Sequence, residues 1–137
     1  MTQGKNSFEE VLHPLVGLLA NSALWADGGV NYQHRFVKLA AGFKVNLAAT
    51  NELPIGVLMN KPAGAGQAAT VAGAGSVVKI LVGTGGVTAG DKLTPDSDSS
   101  GRAVTAAAGD YVGAIALETG SETDLIAAYL IGGVDAI

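Results

Sequence analysis

Short apolar runs separated by turn-forming residues recur along the chain from about residue 34, a pattern typical of all-β proteins. They predict these strands: His34–Leu39, Phe43–Leu47, Ile55–Met59, Ser76–Val82, Lys92–Thr94, Arg102–Thr105, Tyr111–Leu117 and Leu125–Ile131. Glycines interrupt every run after residue 30, so no stretch there favours a long helix. We therefore predict an all-β domain over residues 34–137, a compact small β-barrel or sandwich of short strands.

Residues 1–33 follow a different pattern and are predicted to form an amphipathic arm, either helical or extended. Apolar side chains recur at helical spacing through the first half of this segment, and Ser7 with Glu10 forms a capping box. Pro14 opposes a straight helix because it lacks an amide hydrogen and crowds the preceding turn. The arm either covers its own domain or docks on a neighbouring subunit. Its candidate interface residues are Phe8, Val11, Leu12, Leu15, Leu19 and Trp25.

The composition excludes several classes of protein. The chain has 20 glycines, 15% charged residues and a net charge of −4, which is not the low hydrophobicity and high charge of a disordered chain. It has no run of lysine or arginine, so neither nucleic acid nor a membrane surface is an expected partner. The absence of cysteine excludes disulfides and thiolate metal sites. Sparse aromatic residues make for a marginal core, which favours an oligomer.

Several segments resemble known binding or catalytic motifs, but each lacks neighbouring residues that the corresponding site requires. Gly64–Ala69 reads G-x-G-x-x-A, but the glycines after it would break the helix that a dinucleotide site requires. Asp96–Gly101 resembles half of an EF-hand loop, yet Ala107 stands where the bidentate glutamate belongs. His13 and His34 lack the paired spacing of a zinc site, and no nucleophile elbow is present. We predict no catalytic, cofactor-binding or metal-binding residues and no enzymatic activity.

The segment Val87–Leu93 reads V-x-A-G-D-x-L and predicts a strand–turn–strand unit. Gly90 is expected to take unusual backbone angles and Asp91 to hydrogen-bond the turn. The same phrase occurs in biotinyl and lipoyl carrier domains, where a modified lysine stands at a hairpin tip. Lys61 is the nearest candidate, but Pro62 follows it directly and fits neither carrier pattern. A small carrier or binding module of this type is the alternative prediction.

The order of several phrases along the chain resembles the tailed-phage capsid cement, or head decoration, proteins. The resemblance covers about residues 34 to 132 and rests on the segments Gly56–Leu58, Val77–Val82, Val87–Thr94, Asp96–Glu118 and Asp124–Leu130. Many members of that family begin almost directly with the β domain. The segment of about 30 residues that precedes it here is therefore a departure from the family pattern.

This resemblance implies a structural virion protein that needs no cofactor. Such a protein is made in the host cytoplasm and sits on the outer surface of the expanded capsid. The implied partners are the major capsid protein, whose adjacent subunits it would cement, and further copies of itself in a homotrimer. Because it would bind only the assembled, expanded shell, it would stabilise that state by mass action.

Overall fold

A computed structural model of the chain describes residues 10–15, 17–20, 32–62 and 64–135. These residues form strands and turns, and none of them forms a helix that could cross a membrane. The strands are β1 (Pro14–Leu15), β2 (Leu19–Ala20), β3 (Phe36–Ala40), β4 (Lys44–Leu47), β5 (Gly56–Leu58), β6 (Val71–Ala72), β7 (Val77–Leu81), β8 (Lys92–Pro95), β9 (Ala103–Thr105), β10 (Tyr111–Ala116) and β11 (Leu125–Asp135). The all-β prediction is confirmed.

Eight of these strands, β3 to β5 and β7 to β11, are the ones that the sequence predicts. The other three, β1, β2 and β6, were not predicted. Each of them is two residues long, which is too short to show an alternation of apolar and polar side chains. They are nevertheless the strands that complete one of the two sheets.

The strands form two sheets rather than one closed barrel. The six-stranded sheet has the order β1-β6-β5-β3-β4-β2, and the five-stranded sheet has the order β7-β11-β10-β8-β9. In the six-stranded sheet β1 ends at Leu15 and β2 begins at Leu19, so three residues join its opposite edges. Such a link spans at most about 14 Å. The six-stranded sheet is therefore strongly curled.

Because the six-stranded sheet is curled, it packs against a hydrophobic core on each of its two faces. The larger core lies between the sheets, and the six-stranded sheet contributes Phe36, Val57 and Ala72 to it. The strand residue adjacent to each of these points to the opposite face of the sheet. Those neighbours form the second core together with residues of β2, β4 and the N-terminal segment: Val37, Leu58, Val71, Ala20, Val45 and Leu18. The middle of the six-stranded sheet is thus buried on both faces, and the N-terminal segment helps to close the second core.

The N-terminal segment is extended over its described residues, so the helical alternative is wrong there. Pro14 lies in an edge strand, where a missing amide hydrogen is tolerated. Gly17 has a φ of 78°, which interrupts helical geometry. β1 pairs with β6, and β2 pairs in parallel with β4. The division into an arm of residues 1–33 and a β domain of residues 34–137 stays a prediction, and the capping box at Ser7 lies outside the described residues.

Candidate interaction surface

The outward surface of the five-stranded sheet is apolar. Along β11, Ile126 and Leu130 are buried in the larger core, so Leu125 and Tyr129 point outward by strand alternation. Leu125 is 47% exposed, Tyr129 is 43% exposed, and Leu117, which directly follows β10, is 50% exposed. Antiparallel sheets ordinarily present polar side chains on a solvated face. We name a set of eight residues on this side of β7, β10 and β11 the outer face: Val77, Lys79, Leu81, Ile115, Leu117, Leu125, Ala127 and Tyr129. The exposed Lys92 of β8 pairs with Ile115 and borders this set.

Strand register aligns the apolar side chains of the outer face across the sheet. Tyr129 pairs with Val77 of β7 on one side and with Ile115 of β10 on the other. An isolated bridge pairs Val77 in turn with Val11. Four neighbouring segments of the chain therefore contribute to one apolar row. Contiguous exposed apolar surfaces are typical of contact sites, so the outer face is a candidate interaction surface.

One ion pair lies within the outer face. Lys79 Nζ is 3.2 Å from Glu118 Oε2, and the same carboxylate accepts a 2.9 Å hydrogen bond from the amide of Ala127. The Ala127 hydrogen bond and the Lys79 ammonium together outweigh the effect of burial and hold the pKa of Glu118 below its usual value. The charge of Lys79 is thus balanced inside the surface. A partner that covers the outer face does not have to supply a counter-charge for it.

The interface residues predicted from the sequence do not form one face. Val11 joins the outer face through its bridge to β7. Leu12 and Leu15 are exposed, and Leu15 belongs to β1 at one edge of the six-stranded sheet. Leu19 is half-buried in β2 at the other edge. The predicted residues that lie outside the described part of the chain are Phe8 and Trp25. A contact role for this set stays a prediction.

The interface residues predicted from the sequence do not include Leu117, Leu125 or Tyr129, although the sequence contains a signal for them. The segment from Leu125 to Leu130 is apolar throughout. A strand with one solvated face alternates apolar and polar residues instead. An unbroken apolar strand in an antiparallel protein therefore predicts that both of its faces are covered.

A second exposed apolar feature is residues 39–43, which we name the hairpin tip because they form the end of the β3–β4 hairpin. Their sequence is Leu-Ala-Ala-Gly-Phe, in place of the polar residues that hairpin turns favour. Phe43 is 75% exposed and Leu39 is 58% exposed. Phe43 also has a φ of 58°, a left-handed conformation that is costly for a bulky side chain.

A polar depression of about 380 Å³ lies where the turn before β8 meets the loop before β11. Asp91 lines it and accepts hydrogen bonds of 2.9 Å from the Thr88 amide and the Thr105 hydroxyl. Gly90 has a φ of 91°, so this turn has the structure that the sequence predicts. Over the described ranges, no three acidic, histidine or cysteine side chains are grouped so that they could hold a metal ion. The two hydrogen bonds that the Asp91 carboxylate accepts hold the turn together.

Arg102 links acidic residues beside this depression. Its guanidinium lies 2.9 Å from a carboxylate oxygen of Asp98, 3.4 Å from one of Glu122 and 3.7 Å from one of Asp96. The hydrogen bond with Asp98 is the main reason why the pKa of Arg102 is raised. Burial raises the pKa of Asp98, but hydrogen bonds from Ser100 and Arg102 outweigh it and leave that pKa lowered. The cluster joins the β8–β9 turn to the loop before β11.

Charge is divided between the two sheets. Residues 32–76, which hold β3 to β6, have four basic residues and one acidic residue, for a net charge of +3. Residues 77–135, which hold β7 to β11, have three basic and eight acidic residues, for a net charge of −5. The hairpin tip lies in the positive segment, and the outer face lies almost wholly in the negative one.

The fold of this chain occurs in a known protein whose sequence is only distantly similar. No protein-family model matches the chain, and no curated protein matches it. Among solved structures it is similar to one described as the crystal structure of head fiber gp8.5 N base in bacteriophage phi29. The two are 19% identical, the match covers 86% of this chain and 96% of that chain, and the TM-score is 0.63. This likeness shows a shared fold.

Proposed function

We propose that this chain is a structural protein of a phage virion, which binds the outer surface of the expanded capsid and cements adjacent major-capsid subunits. The observation that carries the proposal is the shared fold with the head fiber gp8.5 N base of bacteriophage phi29, which extends over most of both chains. The ordered phrases that resemble the capsid cement proteins support it independently. A structural role also accords with Asp91, whose carboxylate is used by the fold.

In this proposal the outer face is where the chain meets its neighbours in the virion. The chain has two kinds of neighbour there, the major capsid protein and further copies of itself in a homotrimer, and the outer face would contact one of them. Burial of the exposed parts of Leu117, Leu125 and Tyr129 would contribute about 25 cal/mol per Å² of apolar area. Many copies on a symmetric shell would convert modest contacts into strong overall binding.

The binding of purified chain to capsids tests this function. The experiment compares expanded shells with procapsids of the phage whose genome encodes the chain, both lacking this protein, and measures bound protein by co-sedimentation. We expect saturable binding to expanded shells and little binding to procapsids, and shells that resist heating better once coated. Absence of binding to both kinds of particle would overturn the proposal.

The role of the outer face is tested with Leu125→Lys. Leu125 is exposed, and the substitution places a charge among the apolar residues of the outer face. Ser97→Lys is the matched control, because it adds the same charge at an exposed site in a turn. We expect Leu125→Lys to weaken shell binding by about tenfold or more and Ser97→Lys to leave it unchanged. Size-exclusion chromatography of the free proteins shows which neighbour is affected. A smaller oligomer for Leu125→Lys assigns the outer face to contacts between copies.

The alternative function, a biotinyl or lipoyl carrier, is favoured only by the turn at Gly90 and Asp91, whose V-x-A-G-D-x-L sequence also occurs in such domains. It requires a covalent addition on Lys61, which is exposed in the connection between β5 and β6. The intact mass of the protein purified from its natural host decides this. A mass equal to that of the unmodified chain excludes the carrier function.

A further inference from the structure

The hairpin tip differs from an ordinary surface turn in both composition and exposure. All five of its residues are uncharged and lack polar side chains, and Phe43 is the most exposed of the large apolar side chains that the structure describes. Exposed turns usually consist of residues that hydrogen-bond to water or to their own main chain. An aromatic side chain held in solvent with no such function is a feature of contact sites.

The main chain of the tip is fixed in place. The amide of Leu19 donates a 2.9 Å hydrogen bond to the carbonyl oxygen of Phe43, and Leu19 of β2 pairs in parallel with Lys44 of β4. The left-handed φ of Phe43 is therefore held by an adjacent strand. Backbone strain at an exposed residue persists when the surrounding structure imposes it, and such residues cluster at functional sites. A prearranged aromatic side chain also loses little conformational entropy on binding.

Positive charge flanks the tip. Lys38 and Lys44 lie on the same face of the hairpin, since Lys38 pairs with Asn46 and Ala40 pairs with Lys44. Lys38 forms an ion pair with Glu52. Lys44 has no ion pair with any residue that the structure describes. Residues 32–76, which surround the tip, have a net charge of +3, whereas residues 77–135 have a net charge of −5.

From these observations we propose that the hairpin tip inserts into an apolar depression in an acidic surface of the capsid. This inference rests on the proposed function and specifies how the molecule is oriented. Phe43 and Leu39 would fill the depression, and Lys44 would face carboxylates at its rim. The negatively charged five-stranded sheet would then be turned away from the acidic capsid surface, because like charges in contact are unfavourable. Of the two neighbours in the proposed function, its outer face would then contact further copies of the chain.

Shell binding by tip variants tests the inference. Phe43→Ala removes the aromatic ring, Phe43→Trp keeps an aromatic ring, and Lys44→Glu reverses the flanking charge. Lys61→Glu is the matched control, because it makes the same charge change at an exposed position outside the tip. We expect Phe43→Ala and Lys44→Glu each to weaken binding by about tenfold or more. Phe43→Trp and Lys61→Glu should stay within about twofold of the natural chain.

Ionic strength separates the electrostatic part of the contact from the apolar part. Binding of the natural chain should weaken as salt is raised, since salt screens charges at the rim of an interface. Lys44→Glu should show a smaller or reversed salt dependence, and Phe43→Ala should keep the salt dependence of the natural chain. Circular dichroism spectra equal to that of the natural chain establish that each variant is folded.

The outcomes distinguish the inference from the function on which it rests. If the natural chain does not bind shells, the proposed function fails. If it binds, and Phe43→Ala and Lys44→Glu bind equally well, only the inference about the tip fails. A basic apolar tip could also meet a lipid surface, so vesicles of phosphatidylcholine with about one third phosphatidylserine serve as a further probe. Vesicle binding that Phe43→Ala abolishes would overturn the inference in favour of a membrane contact.

Discussion

The main-chain amide of Leu19 donates a hydrogen bond of 2.9 Å to the carbonyl oxygen of Phe43. This bond connects the N-terminal segment to the tip of a hairpin that follows it by more than twenty residues in sequence. Its acceptor belongs to a bulky residue with a φ of 58°. One strand of the N-terminal segment thus maintains a costly backbone conformation in the β3–β4 hairpin.

Phe43→Asn should make the chain more stable. Asparagine adopts the left-handed conformation at lower cost than phenylalanine, and the ring of Phe43 is 75% exposed and contributes little packing. We expect the free energy of unfolding to rise by about 1 kcal/mol, measured by urea denaturation. Phe43→Ala is the control, since it removes the ring but keeps most of the backbone cost. A lower stability for Phe43→Asn than for Phe43→Ala would contradict this explanation.

One kind of turn occurs four times within the described parts of the chain. In each, a carboxylate accepts a hydrogen bond of 2.8 or 2.9 Å from the amide three residues earlier. The pairs of amide and carboxylate are Ala49 and Glu52, Thr88 and Asp91, Ala107 and Asp110, and Ser121 and Asp124. Together with Glu118, which pairs with Lys79, five acidic side chains outside the Arg102 cluster are therefore used in turns or in ion pairs of the fold.

Asp91→Ala should destabilise the chain, because it leaves the Thr88 amide and the Thr105 hydroxyl without their shared acceptor. The expected loss is about 1–2 kcal/mol in the free energy of unfolding, since the turn is partly solvated. Asp91→Asn keeps one acceptor oxygen and should lose less. Thermal and urea denaturation of both variants provide the measurement, and equal losses would show that the carboxylate oxygen is not what stabilises the turn.

Gly101→Ala should destabilise the chain more than Gly109→Ala, although both glycines have a positive φ. A Cβ atom at Gly101 would lie 2.7 Å from the main-chain oxygen of Phe36, whereas one at Gly109 would meet nothing within 4 Å. We expect a loss of about 1 kcal/mol for Gly109→Ala and about 3 kcal/mol or more for Gly101→Ala. Equal losses in urea denaturation would mean that the β8–β9 turn moves away from β3 at no cost.

Acidification should unfold the chain through carboxylates that are stabilised in their charged form. The pKa values of Glu118, Asp98 and Glu52 are lowered in the folded chain, that of Glu52 mainly by its hydrogen bond from Lys38. A lowered folded pKa contributes stability above the unfolded value, and this stability is lost as the pH falls through the folded value. The free energy of unfolding should therefore decrease below about pH 4, the ordinary carboxyl range.

Glu118→Gln tests this pH dependence at the outer face. The variant cannot lose a proton, so its stability should fall less steeply with acidification than that of the natural chain. Urea denaturation from about pH 6 to about pH 2 measures the two slopes. Identical slopes would show that Glu118 has the same pKa in the folded and unfolded chain.

The sequence predicts the strands of the five-stranded sheet well because turn-forming residues mark their ends. Asp91, Asp110 and Asp124 directly precede β8, β10 and β11, and glycines lie two residues from the ends of β7 and β9. It also predicts the turn at Gly90 and Asp91, whose geometry depends only on neighbouring residues. It does not predict β6, or the pairing of β1 and β2 with strands far along the chain. Helical spacing at Val11 and Leu15 is compatible with an extended edge strand, and only contacts with distant residues decide between the two.

The candidate surface also depends on contacts between distant residues, which the sequence does not predict. The outer face is assembled by register between β7, β10 and β11, and no single strand contains it. The apolar run from Leu125 to Leu130 indicates that a strand is covered on both sides, but the pairing of Tyr129 with Val77 and Ile115 is a property of the sheet. The exposure of Phe43 depends on a turn whose conformation is imposed by β2. Both features lie beyond the reach of a local pattern.

The position of the N-terminal strands has a consequence for synthesis. β1 and β2 are made before any other strand of the six-stranded sheet, yet their partners are β6, which ends at Ala72, and β4, which ends at Leu47. Within the six-stranded sheet, β1 is therefore made first but can pair only after β6 has been made. Pairing between such distant segments is slow. Until residue 72 has left the ribosome, the sheet has open edges on which nascent chains can pair with one another.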